Sequence, residues 1–127
     1  MAKIATASIL ILLYAGYSLL IYTKGTREDL SFSQSEKMII AKGKTLYQEH
    51  NCQSCHQLYG LGGYLGPDLT TAYSDKKRGE AYVRAMLQSG GNRMPRFHFS
   101  KEQTDQLIAY LKYVDSTAAP LRTASNQ

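Results

Sequence analysis

Cysteine is scarce in this sequence, since 127 residues contain only Cys52 and Cys55. With no spare pair there is no disulfide framework, and two thiols are too few for a four-cysteine zinc site. A long run of one charge is also missing. The formal net charge is +5, but lysines and arginines are interspersed with acids, and only Lys76, Lys77 and Arg78 cluster. That triplet reads as a solvated loop and gives no footprint for nucleic acid. No segment alternates apolar and polar residues with period two, and no internal repeat is visible, so strands are not expected. Nucleophile–base arrangements and phosphate-cradling loops are absent too, which excludes an independent catalytic centre of those kinds.

What is present begins with an apolar run. Ile4 to Thr23 carries no charge over 20 residues, and at about 1.5 Å per residue such a helix spans a hydrocarbon core of about 30 Å. A cleavable signal peptide would have a shorter apolar region ending in small residues. This run ends Leu19, Leu20, Ile21, Tyr22, Thr23, Lys24, so an uncleaved anchor is expected. Tyr14, Tyr17 and Tyr22 add amphipathic rings, with Tyr22 beside Lys24 placed for the membrane interface. The basic residues do not set orientation, because the amino terminus and Lys3 on one side face Lys24 and Arg27 on the other.

Beyond the anchor, Ser33 and Glu36 have the spacing of a capping box, predicting a helix to about Glu49. Asn51 to about Tyr73 holds Gly60, Gly62, Gly63, Gly66 and Pro67 and is predicted to be loop. A second helix is expected from Gly79 to Ser89, stopped by Gly90 and Gly91. Ser100 and Gln103 signal another cap, and Leu107, Ile108, Leu111 and Val114 give an apolar face for a last helix over 101–115. The fold class is therefore all-α: residues 1–24 an anchor, 25–33 a connector, 34–116 a domain of about three main helices and long loops, and 117–127 a polar tail.

Cys52-Gln-Ser-Cys55-His56 carries the chemistry. It is the CxxCH pattern of covalent haem attachment, with two thiols forming thioethers and the histidine ligating iron. One motif implies one haem c. The alternatives are a redox dithiol, which would want a βαβ context, and a zinc site, which would want four ligands. For the second axial position Met94, in a loop 38 residues after His56, is the candidate, and His98 is its rival. Met38 and Met86 fall within predicted helices and read as core fillers, and His50 sits too near Cys52 to reach around the ring. His/Met ligation raises the potential to suit electron transfer. The Pro67 carbonyl is placed to accept the other ring N–H of His56. Leu58, Tyr59, Leu61, Tyr64, Leu65, Leu69, Phe97 and Phe99 offer surface to wrap a porphyrin.

After residue 33 the chain resembles the single-haem cytochrome c fold, with Gly43 and Tyr47 on the first helix and Leu107, Ala109, Tyr110 and Leu111 on the last matching its crossing helices. More narrowly it resembles the small anchored cytochrome c subunit of cytochrome c-dependent nitric oxide reductase. The runs His56-Gln-Leu-Tyr-Gly-Leu-Gly-Gly-Tyr64-Leu-Gly-Pro67-Asp-Leu69 and Met94-Pro-Arg-Phe97-His98-Phe-Ser100 carry that resemblance. The stretch from Ala72 to Arg93 and the connector are shorter than in that family. Covalent haem attachment to CxxCH motifs is completed outside the cytoplasm, so the haem domain is expected on the periplasmic side of an inner membrane. The resemblance implies electron input from a soluble cytochrome c or cupredoxin, and a large polytopic partner that converts nitric oxide to nitrous oxide. The chain itself would be non-catalytic.

In the same family the segment matching Gly62 and Tyr64 approaches a calcium ion near the partner. The free carbonyls of a glycine-rich loop are of the kind calcium takes, but one chain cannot complete its shell. Gly62 and Tyr64 are therefore candidates for a shared calcium site, with a haem-packing turn as the plain alternative. The competing functions are a free-standing anchored electron shuttle, a cytochrome c subunit of another haem-copper respiratory enzyme, and a haem gas sensor. The sensor would want a transmitter segment.

Overall fold

The computed structural model describes residues 2–25 and 32–118. The chain forms two units, divided between Ser31 and Phe32. Most of the connector and of the polar tail, residues 26–31 and 119–127, lie outside the described residues.

The first unit is helix α1, Ala2–Leu20, continued by a wider π-helical turn, Ile21–Gly25. The Thr23 hydroxyl donates to the Leu19 carbonyl at 2.7 Å, which folds its polar atom back onto the helix backbone. Lys3–Thr23 is long and apolar enough to cross a membrane, and none of it is buried inside the structure. Side chains such as Ile11, Leu12 and Tyr14 stand exposed along its length. An apolar surface of this extent is stable in lipid and costly in water.

The second unit is built from three helices. Helix α2, Gln34–Glu49, opens on the expected capping box: Ser33 N–H donates to Glu36 Oε2 at 2.8 Å, and Glu36 N–H donates to Ser33 Oγ at 3.3 Å. Helix α3 is Gly79–Ser89 and ends at Gly90, whose φ of 70° suits glycine. Helix α4, Lys101–Thr117, repeats the box with Ser100 and Gln103 at 3.1 and 2.9 Å. It runs two residues past the expected end.

The two capped helices, α2 and α4, form the main interface. They cross at Gly43, where a Cβ would stand 1.9 Å from the Gln106 carbonyl oxygen and 2.9 Å from Tyr110 Cβ. The glycine is there because two backbones meet. One turn later Tyr47 packs on Tyr110 with ring centroids 5.5 Å apart. Leu107, Ile108 and Leu111 of α4 and Val83 and Leu87 of α3 complete the core. Met38, expected inside a helix core, is instead 59% exposed on the outer face of α2. Met86 is half-buried, its methyl group lying where a Cβ on Gly91 would come within 2.7 Å.

The segment after α2 is more ordered than a plain loop. Asn51, at φ 50°, leads into a 3₁₀ turn, Cys52–Ser54, followed by two-residue strands β1, Gln57–Leu58, and β2, Leu61–Gly62, paired antiparallel. Tyr59 and Gly60 join them, both with positive φ (53° and 76°), as in the primed type I turn that favours two-residue hairpins. Tyrosine is an unusual choice for the first position. It is held by three contacts: its N–H donates to Thr70 Oγ1 at 2.6 Å, and its hydroxyl bonds the Val114 carbonyl at 3.2 Å and the Thr117 hydroxyl. The hairpin is thereby tied to the carboxyl end of α4. The all-α class stands, with this small ladder as the one strand pair among the described residues.

Candidate functional site

The 3₁₀ turn draws the motif residues together. Cys55 N–H and His56 N–H both donate to the Cys52 carbonyl, at 3.2 and 2.9 Å. The two cysteines are not paired in a disulfide and are partly buried. Burial above all pushes the Cys52 thiol up from the ordinary range, which keeps it protonated at neutral pH.

His56 Nδ1 lies 2.8 Å from the Pro67 carbonyl oxygen. A carbonyl only accepts, so this contact places the proton on Nδ1 and leaves the Nε2 lone pair free to bind a metal.

Three glycines of the following loop wrap the motif from the other side. A Cβ on Gly66 would stand 2.3 Å from His56 Cε1, one on Gly63 would stand 1.9 Å from the Ser54 carbonyl oxygen, and one on Gly62 would stand 2.3 Å from the His56 carbonyl oxygen. Gly62 also has a φ of 131°. Backbone bonds fasten the same loop: Gly63 N–H to Gln53 O at 2.9 Å, Gly66 N–H to Cys55 O at 2.8 Å and Leu69 N–H to Gln57 O at 2.9 Å. The glycines that spell a loop in the sequence are thus a backbone cradle for His56.

Met94 is half-buried and packs against the same core cluster that Cys52 touches. Its loop is tightened by the Gly91 N–H donating to the Met94 carbonyl at 2.9 Å, and a Cβ on Gly90 would crowd that carbonyl at 2.8 Å. The rival His98 is exposed, with left-handed backbone at φ 56°. Phe97 and Phe99 turn toward His50, and the Tyr59 hydroxyl reaches α4. Leu61 (77%), Tyr64 (87%) and Leu65 stand open beside the motif.

The residues fit haem c on three observations of the structure. His56 offers a free Nε2 on a ring fixed by Pro67 and Gly66. The apolar side chains of Leu61, Tyr64 and Leu65 lie uncovered around it. The Tyr47 hydroxyl is buried without a hydrogen-bond partner, and Cys52 is among the groups whose proximity, after burial itself, holds its proton on. An orphaned buried hydroxyl there suits a site completed by another group. Among the described residues no three His, Cys, Asp or Glu side chains gather as metal ligands, so the four ligands that a zinc site wants are not brought together there. Near Gly62 and Tyr64, Asp68 spends one carboxylate oxygen on the Thr70 N–H at 2.7 Å.

Sequence reasoning passed over some residues that build this region. Asp115 is buried, at 3% exposure, and accepts from Ser74 N–H at 2.7 Å and Ser74 Oγ–H at 3.0 Å, pinning the loop before α3 to α4. An acid among the apolar residues of a predicted helix was the signal for it.

Comparison with known proteins agrees with this geometry. The nitric oxide reductase C subunit of Stutzerimonas stutzeri is 29% identical over 84 residues, covering 58% of this chain and 57% of that one. The protein of the same name from Halomonas halodenitrificans is 27% identical over 88 residues, 60% and 59% of the two chains. The cytochrome bc1 complex cytochrome c subunit of Corynebacterium diphtheriae is 32% identical over 81 residues, 61% of this chain and 28% of that one. The alignments thus take in less than two thirds of these relatives' lengths. The family model described as cytochrome c oxidase, cbb3-type, subunit III matches residues 39–111, which runs from α2 through the CxxCH turn and the Met94 loop into α4. With its CxxCH histidine cradled and its two capped helices crossed at a glycine, this chain belongs to that family of cytochrome c domains.

Proposed function

We propose that the chain is a membrane-anchored cytochrome with one covalent haem c, the electron-input subunit of a nitric oxide reductase complex. Cys52 and Cys55 would hold the porphyrin through thioethers, His56 Nε2 would be one axial ligand and Met94 the other. Haem c, when bound, supplies a one-electron iron couple. The protein's part is to fix that couple. Pro67 and Gly66 set the His56 ring, and Cys52 and Met94 both pack against the apolar core.

The observation that carries this reading is the 2.8 Å contact from His56 Nδ1 to the Pro67 carbonyl, which readies Nε2 for iron. The similarity to the nitric oxide reductase C subunits of two bacteria supports the choice of partner. In this reading the catalytic chemistry belongs to a large polytopic haem-containing subunit. The haem domain lies on the periplasmic face of the inner membrane and takes electrons from a soluble cytochrome c or cupredoxin. Gly62 and Tyr64 would meet that partner, sharing a calcium ion whose remaining oxygen ligands come from it.

The match to the cbb3-type family and to a bc1 cytochrome c subunit favours a second reading, a cytochrome c subunit of another respiratory enzyme. Gentle detergent purification of the full chain separates the two. A stoichiometric polytopic partner that reduces nitric oxide is expected. A partner that reduces oxygen would establish the second reading, and recovery of the chain alone would make it a free-standing shuttle.

A further inference from the structure

His50 stands outside the motif as the C-cap residue of α2. Its ring meets Phe97 edge-on, centroids 5.5 Å apart at 89°, and Phe99 at 4.7 Å and 68°. Those two phenylalanines stack on each other at 5.3 Å, with the left-handed His98 between them. His50 Nδ1 lies 3.0 Å from the Leu46 carbonyl oxygen, so the ring donates there and is locked against α2. Phe97 follows Met94 by three residues, and Phe99 precedes the Ser100 cap of α4. The ring therefore clamps the loop that carries Met94 to the helix end that leads into Cys52.

We propose that His50 is a positioning residue that holds the Met94 loop in place, and so sets how readily outside ligands would compete with Met94 for a bound haem iron. The inference rests on the reading of Met94 as the second axial ligand. Edge-to-face contacts of this kind favour the held loop modestly. Outside ligands bind only the released fraction, so their apparent affinity rises in proportion as that fraction grows.

The test uses the full-length ferric holoprotein in detergent and imidazole as the probe. In His50→Leu, which removes the ring edge and its Nδ1 donor, imidazole should bind about tenfold more tightly. The weak far-red band of sulfur-ligated ferric haem should weaken. His50→Phe, which keeps an aromatic edge, should restore most of the wild-type behaviour, a rescue that a general loss of stability would not give. Phe97→Leu opens the same contact from the other side, should shift in the same direction, and serves if His50→Leu fails to mature. Unchanged imidazole affinity in His50→Leu or Phe97→Leu, with a wild-type band that Met94→Ala abolishes, would overturn the clamp while leaving the ligand assignment intact. A band that survives Met94→Ala would overturn both.

Discussion

Gly66 faces the His56 ring so closely that even one methyl group has no room, since its Cβ would come within 2.3 Å of Cε1 and 2.6 Å of Nδ1. Gly66→Ala should therefore tilt or displace the imidazole and weaken its bond to Pro67. The expected outcome is a holoprotein recovered in low yield, with its reduction potential shifted from wild type, measured by pyridine haemochrome yield and redox titration. Normal yield and an unshifted potential would show that the loop gives way and that the glycine is not part of the cradle. Gly62 behaves in the same way, because its Cβ would press the His56 carbonyl. A Gly62 substitution thus damages the haem loop itself and reports poorly on a partner. Tyr64, with its ring open to solvent, is the cleaner probe: Tyr64→Ala should leave the haem spectrum unchanged and lower partner retention or turnover. Full retention and turnover would reduce that loop to haem packing. The CxxCH pattern was legible directly, because its spacing is fixed. Why Gly63 and Gly66 are glycines was not legible, since the atoms that crowd them come within reach only after the hairpin forms.

At the level of elements, both capping boxes were legible as Ser-x-x-Glu and Ser-x-x-Gln, a local signal that needs no tertiary partner. The hairpin was not, because its turn begins with Tyr59, a residue that takes positive φ only when contacts with Thr70, Val114 and Thr117 hold it. Ser33→Ala and Ser100→Ala should each lower holoprotein stability by about 1 kcal/mol, read from guanidinium unfolding followed at the haem. The Ser33 box should also be sensitive to acid. Its bonds from the Ser33 side chain, then the Ser33 backbone, hold the Glu36 carboxyl below its ordinary value of 4.5. The contribution is thus complete above that value and lost as pH falls through the lowered one. In Glu36→Gln the acid-unfolding curve should lose that component, whereas an unaltered curve would show that the box adds nothing. Gly43→Ala tests the crossing of α2 and α4 in the same assay. Its Cβ meets backbone and not a flexible side chain, so a loss of about 1–3 kcal/mol is expected from overpacking. A neutral result would mean that the helices slide apart at no cost.

For the whole molecule, the question is what each of the two units does without the other. The second contains the CxxCH turn, the glycine cradle, the Met94 loop and a core whose fully buried members come from α2, α3 and α4. Helix α1, for its part, exposes apolar side chains along a length that suits a bilayer. The division of labour follows: the first unit fixes location and the second holds the haem. A chain reduced to residues 32–127, exported behind a cleavable leader so that haem attachment can occur, should be water-soluble. It should keep the wild-type haem spectrum and reduction potential. The full chain should sediment with membranes and resist carbonate extraction, and in spheroplasts its haem domain should be open to added protease. A full chain released by carbonate would show that α1 does not span. A domain protected until the membrane is breached would place the haem on the other face, and with it the electron donor. If the truncated protein instead fails to hold haem, the second unit depends on α1 in a way that its core does not reveal, and the two units would have to be treated as one folding entity.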